Sequence, residues 1–81
     1  MTVYFVNGSL QRKKLVESDY AEDLIDIIID FFESHGSVPH LLEIRREQTD
    51  LLVVLPNTRE HFLITDVDAE DEQIFADWIN G

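Results

Sequence analysis

The chain opens with alternation: Thr2 to Val6 interleaves β-branched and aromatic residues and predicts a strand. Asn7-Gly8 follows, a two-residue hairpin signal, because a type I′ turn needs positive φ at both central positions. The expected return strand is Leu10 to Val16, with Val6 opposite Ser9, Phe5 opposite Leu10 and Val3 opposite Arg12. The period then lengthens to that of a helix. Asp19 to His35 reads DYAEDLIDIIIDFFESH. Ser18 or Asp19 is the expected cap, Asp19 with Glu22 resembles a capping box, and Gly36 supplies the stop.

Leu41 to Arg46 alternates again, with Leu42 and Ile44 on one side, and Gln48-Thr49-Asp50 predicts a turn. Leu51 to Leu55 is apolar throughout, which predicts an interior strand buried on both faces. Pro56-Asn57-Thr58 predicts the next turn and His61 to Thr65 the last strand. Asp68 can cap a second helix running to Ile79, with Ile74, Phe75, Trp78 and Ile79 as its apolar side and Val67 as an N-terminal staple. The order β-β-α-β-β-β-α predicts an α+β fold: an antiparallel sheet of about five strands with two helices packed on it. Residues 1–81 read as one small acidic domain.

Charge changes the picture of the first helix. At about 100° per residue, Asp19, Glu22, Asp23, Asp26, Asp30 and Glu33 fall within an arc of roughly 100°. Apolar residues fill an arc of roughly 200°, wide enough to need cover on two sides, from the sheet and from the second helix or a partner subunit. Like charges at i,i+4 cost about 0.2–0.5 kcal/mol per pair, and Asp19/Asp23, Glu22/Asp26 and Asp26/Asp30 are such pairs with no base among them. Asp30 and Glu33 also lie where the helix dipole disfavours anions. The stripe therefore works against local stability, which points to a use. A second acidic group, Asp66, Asp68, Glu70, Asp71, Glu72 and Asp77, surrounds the start of the second helix.

The whole chain carries 17 Asp and Glu against 6 Lys and Arg, a formal charge of -11. With 44 % hydrophobic residues it is too apolar for a disordered acidic tail. Such a charge repels nucleic acid, anionic lipid and acidic substrates, and attracts basic surfaces. Direct nucleic-acid binding is disfavoured, since Arg12-Lys13-Lys14 and Arg45-Arg46 lack interleaved aromatics. There are no cysteines, so disulfide, Cys-zinc and thiol chemistry are excluded. MTVYFVNG lacks the features of a secretory signal, and Ile27–Ile29 and Leu51–Leu55 are too short to span a bilayer. A cytoplasmic protein without membrane contact is expected.

No catalytic signature is present, and the protein is not expected to be an enzyme. The serines lie in turns or at helix ends, and His35, His40 and His61 are scattered. Asp66-Val67-Asp68-Ala69-Glu70 has the order that opens a calcium loop, but Asp71 stands where that loop requires glycine. No cofactor or metal is expected.

The stretch Phe62-Leu63-Ile64-Thr65-Asp66-Val67-Asp68-Ala69-Glu70-Asp71, followed by Phe75-Ala76-Asp77-Trp78-Ile79, resembles the end of a small acidic phage anti-CRISPR family. That family mimics DNA and blocks a type I surveillance complex. The shared pattern is a strand, a D-x-D acidic turn, then aromatic-Ala-Asp-Trp-aliphatic on a helix. The resemblance implies that Asp66, Asp68, Glu70, Asp71 and Asp77 face basic residues of a nucleic-acid-binding target, and implies a phage or mobile-element origin.

The leading expectation is thus a small acidic inhibitor or regulator of a basic, nucleic-acid-handling partner, with carboxylates standing where phosphates would lie. Two alternatives stay open. One is a structural or homodimeric module that uses the apolar arc around Ile29 and Phe32, with the acids only solvating the outside. The other is a calcium-binding module at Asp66 to Glu72.

Overall fold

The strands and both helices each carry one apolar side, and the chain buries those sides together between a helix layer and a sheet. The computed structural model describes residues 1–35, 42–56 and 58–81. The elements are β1 (Thr2–Val6), β2 (Arg12–Glu17), α1 (Ala21–Ser34), β3 (Glu43–Glu47), β4 (Asp50–Val54), β5 (His61–Ile64) and α2 (Ala69–Asn80). This is the expected α+β order. The sheet runs β2-β1-β5-β4-β3, and every neighbouring pair is antiparallel.

Register decides which side chains meet. Val3, Ile64 and Leu51 form one cross-strand row; Phe5, Phe62, Val53 and Ile44 form another. Leu24, Ile28 and Phe32 of α1 and Phe75 of α2 share one buried cluster with these rows. Phe62, on the middle strand, lies 5.5 Å from Phe5, 5.4 Å from Phe31 and 5.5 Å from Phe32 between ring centroids. These tilted and edge-on contacts are favoured aromatic arrangements.

Several sequence expectations are corrected. The Asn7-Gly8 hairpin is not a two-residue turn. Val6 pairs with Arg12, Phe5 with Lys13 and Val3 with Val16, so the loop runs from Asn7 to Gln11. The cause is the Asn7 side chain, whose Oδ1 accepts from the N–H of Ser9 at 2.9 Å and of Gln11 at 3.0 Å. Leu10 takes the positive φ, at 61°. The next strand accordingly starts at Arg12 rather than Leu10.

At α1 no capping box forms. Tyr20 occupies the N-cap without a side-chain bond. Ser18 Oγ instead accepts from the Tyr20 N–H at 3.1 Å and donates to Asp23 Oδ2 at 2.7 Å. A helix starting at Ala21 brings that alanine and Leu24 fully into the core. Asp68 does cap α2, accepting from the Asp71 N–H at 2.8 Å. Val67 is buried, but Glu72 stands where a staple's apolar partner would be, so Val67 packs into the core instead.

β4 is not buried on both faces. Leu51 and Val53 are buried while Leu52 and Val54 are half-buried, because the shared core of both helices lies against one side of the sheet. The apolar arc of α1 is covered in part within the chain: Phe32 is buried in the core, while Ile27, Ile29 and Phe31 pack against it and stay half-buried. The expected Gly36 stop, the Gly36 to Pro39 loop, His40, Leu41 and Asn57 lie outside the described residues.

Candidate functional site

α1 is fixed by its buried side, Ala21, Leu24, Ile25, Ile28 and Phe32. That fixes what the opposite side presents. Glu22, Asp23, Asp26, Asp30 and Glu33 are all exposed, and Asp19 is exposed just before the helix. The stripe expected from the helical wheel is thus a solvent-facing ridge on a helix held by its other face. No base lies in the last turn of either helix.

The second acidic group is organised by the junction between β5 and α2. Asp66 adopts a positive φ of 55°, and the Val67 N–H donates to the Thr49 carbonyl at 2.9 Å, which ties the start of α2 to the β3–β4 turn. Glu70 and Asp77 are exposed, and Asp77 accepts a bond from Gln73 Nε2 at 2.8 Å. Asp71 and Glu72 are half-buried.

Those two half-buried acids have opposite surroundings. The Asp71 carboxyl is pushed above its ordinary value of 3.8, first by burial, then by the charge and hydrogen bond of Asp68, and then by the charges of Glu22 and Glu70. Glu22 belongs to α1, so the charge of one acidic group acts on the other. Glu72 instead reaches Arg46 on β3, with 3.4 Å between charged atoms. Of the twelve candidate acids, Glu72 is the one in an ion pair among the described residues; the other pair is Lys14 with Glu17 at 3.4 Å.

Charge is therefore sorted by layer. The remaining acids are Glu17, Glu43, Glu47, Asp50 and Glu60, and the six Lys and Arg outnumber them. The twelve acids on and beside the helices thus account for the entire formal charge of -11. Sequence reasoning found the twelve residues but not the action of the Glu22 charge on Asp71, nor the Arg46–Glu72 pair. Arg46 and Glu72 carry no local pattern that links them, since β3 and α2 meet only through the sheet order.

The open face of the sheet is different. Arg12, Arg45 and Arg59 line a concavity of 590 Å³ there, over Leu52, Val54 and Leu63. Glu47, Asp50 and Glu60 line it as well, so the surface has almost no net charge. Arg12 and Arg45 are therefore part of a mixed, near-neutral face, as expected of charged positions that protect a sheet from edge-to-edge pairing.

For metal chemistry, among the described residues no three His, Asp or Glu side chains are placed to hold an ion. Asp68 Oδ1, a nominal calcium ligand, is already engaged by the Asp71 N–H. No described helix is long and apolar enough to cross a membrane. No family model, curated protein or solved structure matches the chain.

Proposed function

We propose that this is a binding protein whose acidic helix layer docks onto a basic, nucleic-acid-handling partner and inhibits or regulates it. One observation carries the reading: twelve carboxylates gather on one layer and hold the whole net charge, with one ion pair to them among the described residues. Carboxylates at i,i+3 and i,i+4 stand about 5–6 Å apart along α1. A surface that grips phosphates through Lys and Arg would find the same charge and acceptor geometry on such a ridge. A rigid core beneath α1 keeps the spacing fixed. The C-terminal resemblance to phage anti-CRISPR proteins agrees with this reading and suggests a nucleic-acid-binding surveillance complex as the kind of target.

The test is co-precipitation from a cell extract, with duplex DNA as competitor, at low and high salt. The expected partner is released by salt and by DNA, because exposed charges act over a Debye length of about 8–10 Å. The variant with Asp23, Asp26 and Asp30 all changed to Asn should lose it. Undiminished capture by that variant would overturn the proposal.

A further inference from the structure

An apolar groove runs beside the ridge along α1. Phe5 on β1, Leu15 on β2, and Ile27 and Phe31 on α1 form its floor, in a volume of 440 Å³. All four are half-buried. His35 stacks on Phe31 with 4.2 Å between centroids and closes one end. Asp30 stands on the helix wall and Lys13 on the strand wall. Around the helix, Ile27 follows Asp23 by roughly 40°, so ridge and groove share a border.

Exposed ion pairs govern orientation and encounter rate more than affinity. Stable interfaces draw most of their affinity from a few apolar anchors set in pockets and ringed by polar contacts. α1 offers both parts side by side. We propose that the groove receives one aromatic or branched aliphatic side chain from the same basic segment that meets the ridge. This inference rests on the ridge reading. The walls fix the direction of approach: the segment's cations lie on the Asp30 side, and Lys13 repels the reverse orientation. Charge also argues against a second copy as occupant, since it would bring another -11 to the ridge. Its best anchor would be Leu10, which is 70 % exposed beside Arg12.

The probes are two short Arg/Lys peptides identical except for one central residue, Trp in one and Ser in the other. Binding is followed by amide NMR titration at low and high salt. The Trp peptide should bind about ten- to hundredfold more tightly, the gain expected from burying one large apolar side chain. It should shift the amides of Ile27, Phe31 and Lys13. Ile27→Gln should erase the Trp advantage while leaving the Ser peptide unaffected. Lys13→Glu, at an exposed position, should tighten both peptides and keeps the test open if Ile27→Gln unfolds. Equal affinity for the two peptides, or shifts centred on Leu52 of the open face, would overturn the groove proposal; salt-sensitive binding of the Ser peptide would leave the ridge standing. If neither peptide binds at low salt, both readings fall. Self-association abolished by Leu10→Ser would identify a second copy as the occupant and also overturn the proposal.

Discussion

Replacing Asp26 with lysine should stabilise the fold while weakening partner binding, chiefly through slower association, and that opposition is the sharpest consequence of the ridge. Asp26 sits in the middle of it, with Glu22 four residues before, Asp23 three before and Asp30 four after. All four are exposed on the side of α1 away from the core. Each like-charge pair at this spacing costs about 0.2–0.5 kcal/mol, and each opposite pair contributes a similar amount. Inverting three pairs therefore stabilises the protein by about 1–3 kcal/mol. A chain of this size has a total stability of about 4–12 kcal/mol, so the gain is a substantial fraction of it. At about 4–8 °C per kcal/mol, the melting temperature should rise by at least several degrees. Asp26→Asn, which removes repulsion without adding attraction, should yield about half the effect. Urea unfolding followed by the fluorescence of Trp78, the one tryptophan, measures both variants. The differences should shrink at high salt, where exposed charges are screened. A neutral or destabilising Asp26→Lys at low salt would refute the reasoning: the acids would not be held against stability, and their arrangement would need no function to explain it.

Two further outcomes test the second acidic group. Asp68→Ala should cost about 1 kcal/mol through loss of the α2 cap, whereas Asp68→Ser keeps the cap and relieves Asp71; calorimetry checks this, and a wild-type melting temperature that rises with calcium would favour the calcium-loop alternative. Asp71→Asn should raise stability at neutral pH. Because the folded Asp71 carboxyl titrates above its ordinary 3.8, the native state binds more protons in the interval between the two values. The wild type therefore loses stability as pH rises through that interval, and the variant lacks this slope. Its advantage should vanish below pH 3.8, and parallel pH–stability curves would contradict the cause assigned to Asp71.

The order of elements was legible because each announces its own period. α1 carries a helical repeat over its 14 residues, and the strands alternate or run apolar. What local pattern could not supply was competition between a side chain and the backbone. Asn7-Gly8 suits a tight turn, but Asn7 Oδ1 can bind two N–H groups of a wider loop, and the register moves with it. Likewise Asp19 and Glu22 had the spacing of a capping box, yet the helix starts where Ala21 can be buried. The run Leu51 to Leu55 could not reveal that both helices would settle on one face, which left Leu52 and Val54 on the open side. At the site, the α1 ridge could be read from a helical wheel because exposure opposite a buried side follows from geometry. The action of the Glu22 charge on Asp71 could not, since it depends on how α1 packs beside α2.

Sorting charge by layer has a consequence that a uniformly acidic surface would not have. If the -11 were spread evenly, a basic partner would be attracted to every face and would have to search for the productive one. Here the open sheet face is close to neutral, and its bases are balanced by Glu47, Asp50 and Glu60. The molecule is strongly polarised from sheet to helix layer. On the proposed reading, a basic surface approaching within a Debye length would be turned toward α1 and α2 before contact, which would raise the encounter rate for that orientation. The same polarity separates the demands on the two layers. Alternating charges on the sheet can guard its edges without diluting the ridge, and the helices can carry unrelieved repulsion because α1 and α2 are anchored by a core centred on Phe62 and Phe75. Unfavourable electrostatics along the α1 ridge is therefore offset by apolar burial beneath it, while on α2 Glu72 has a counter-charge in Arg46.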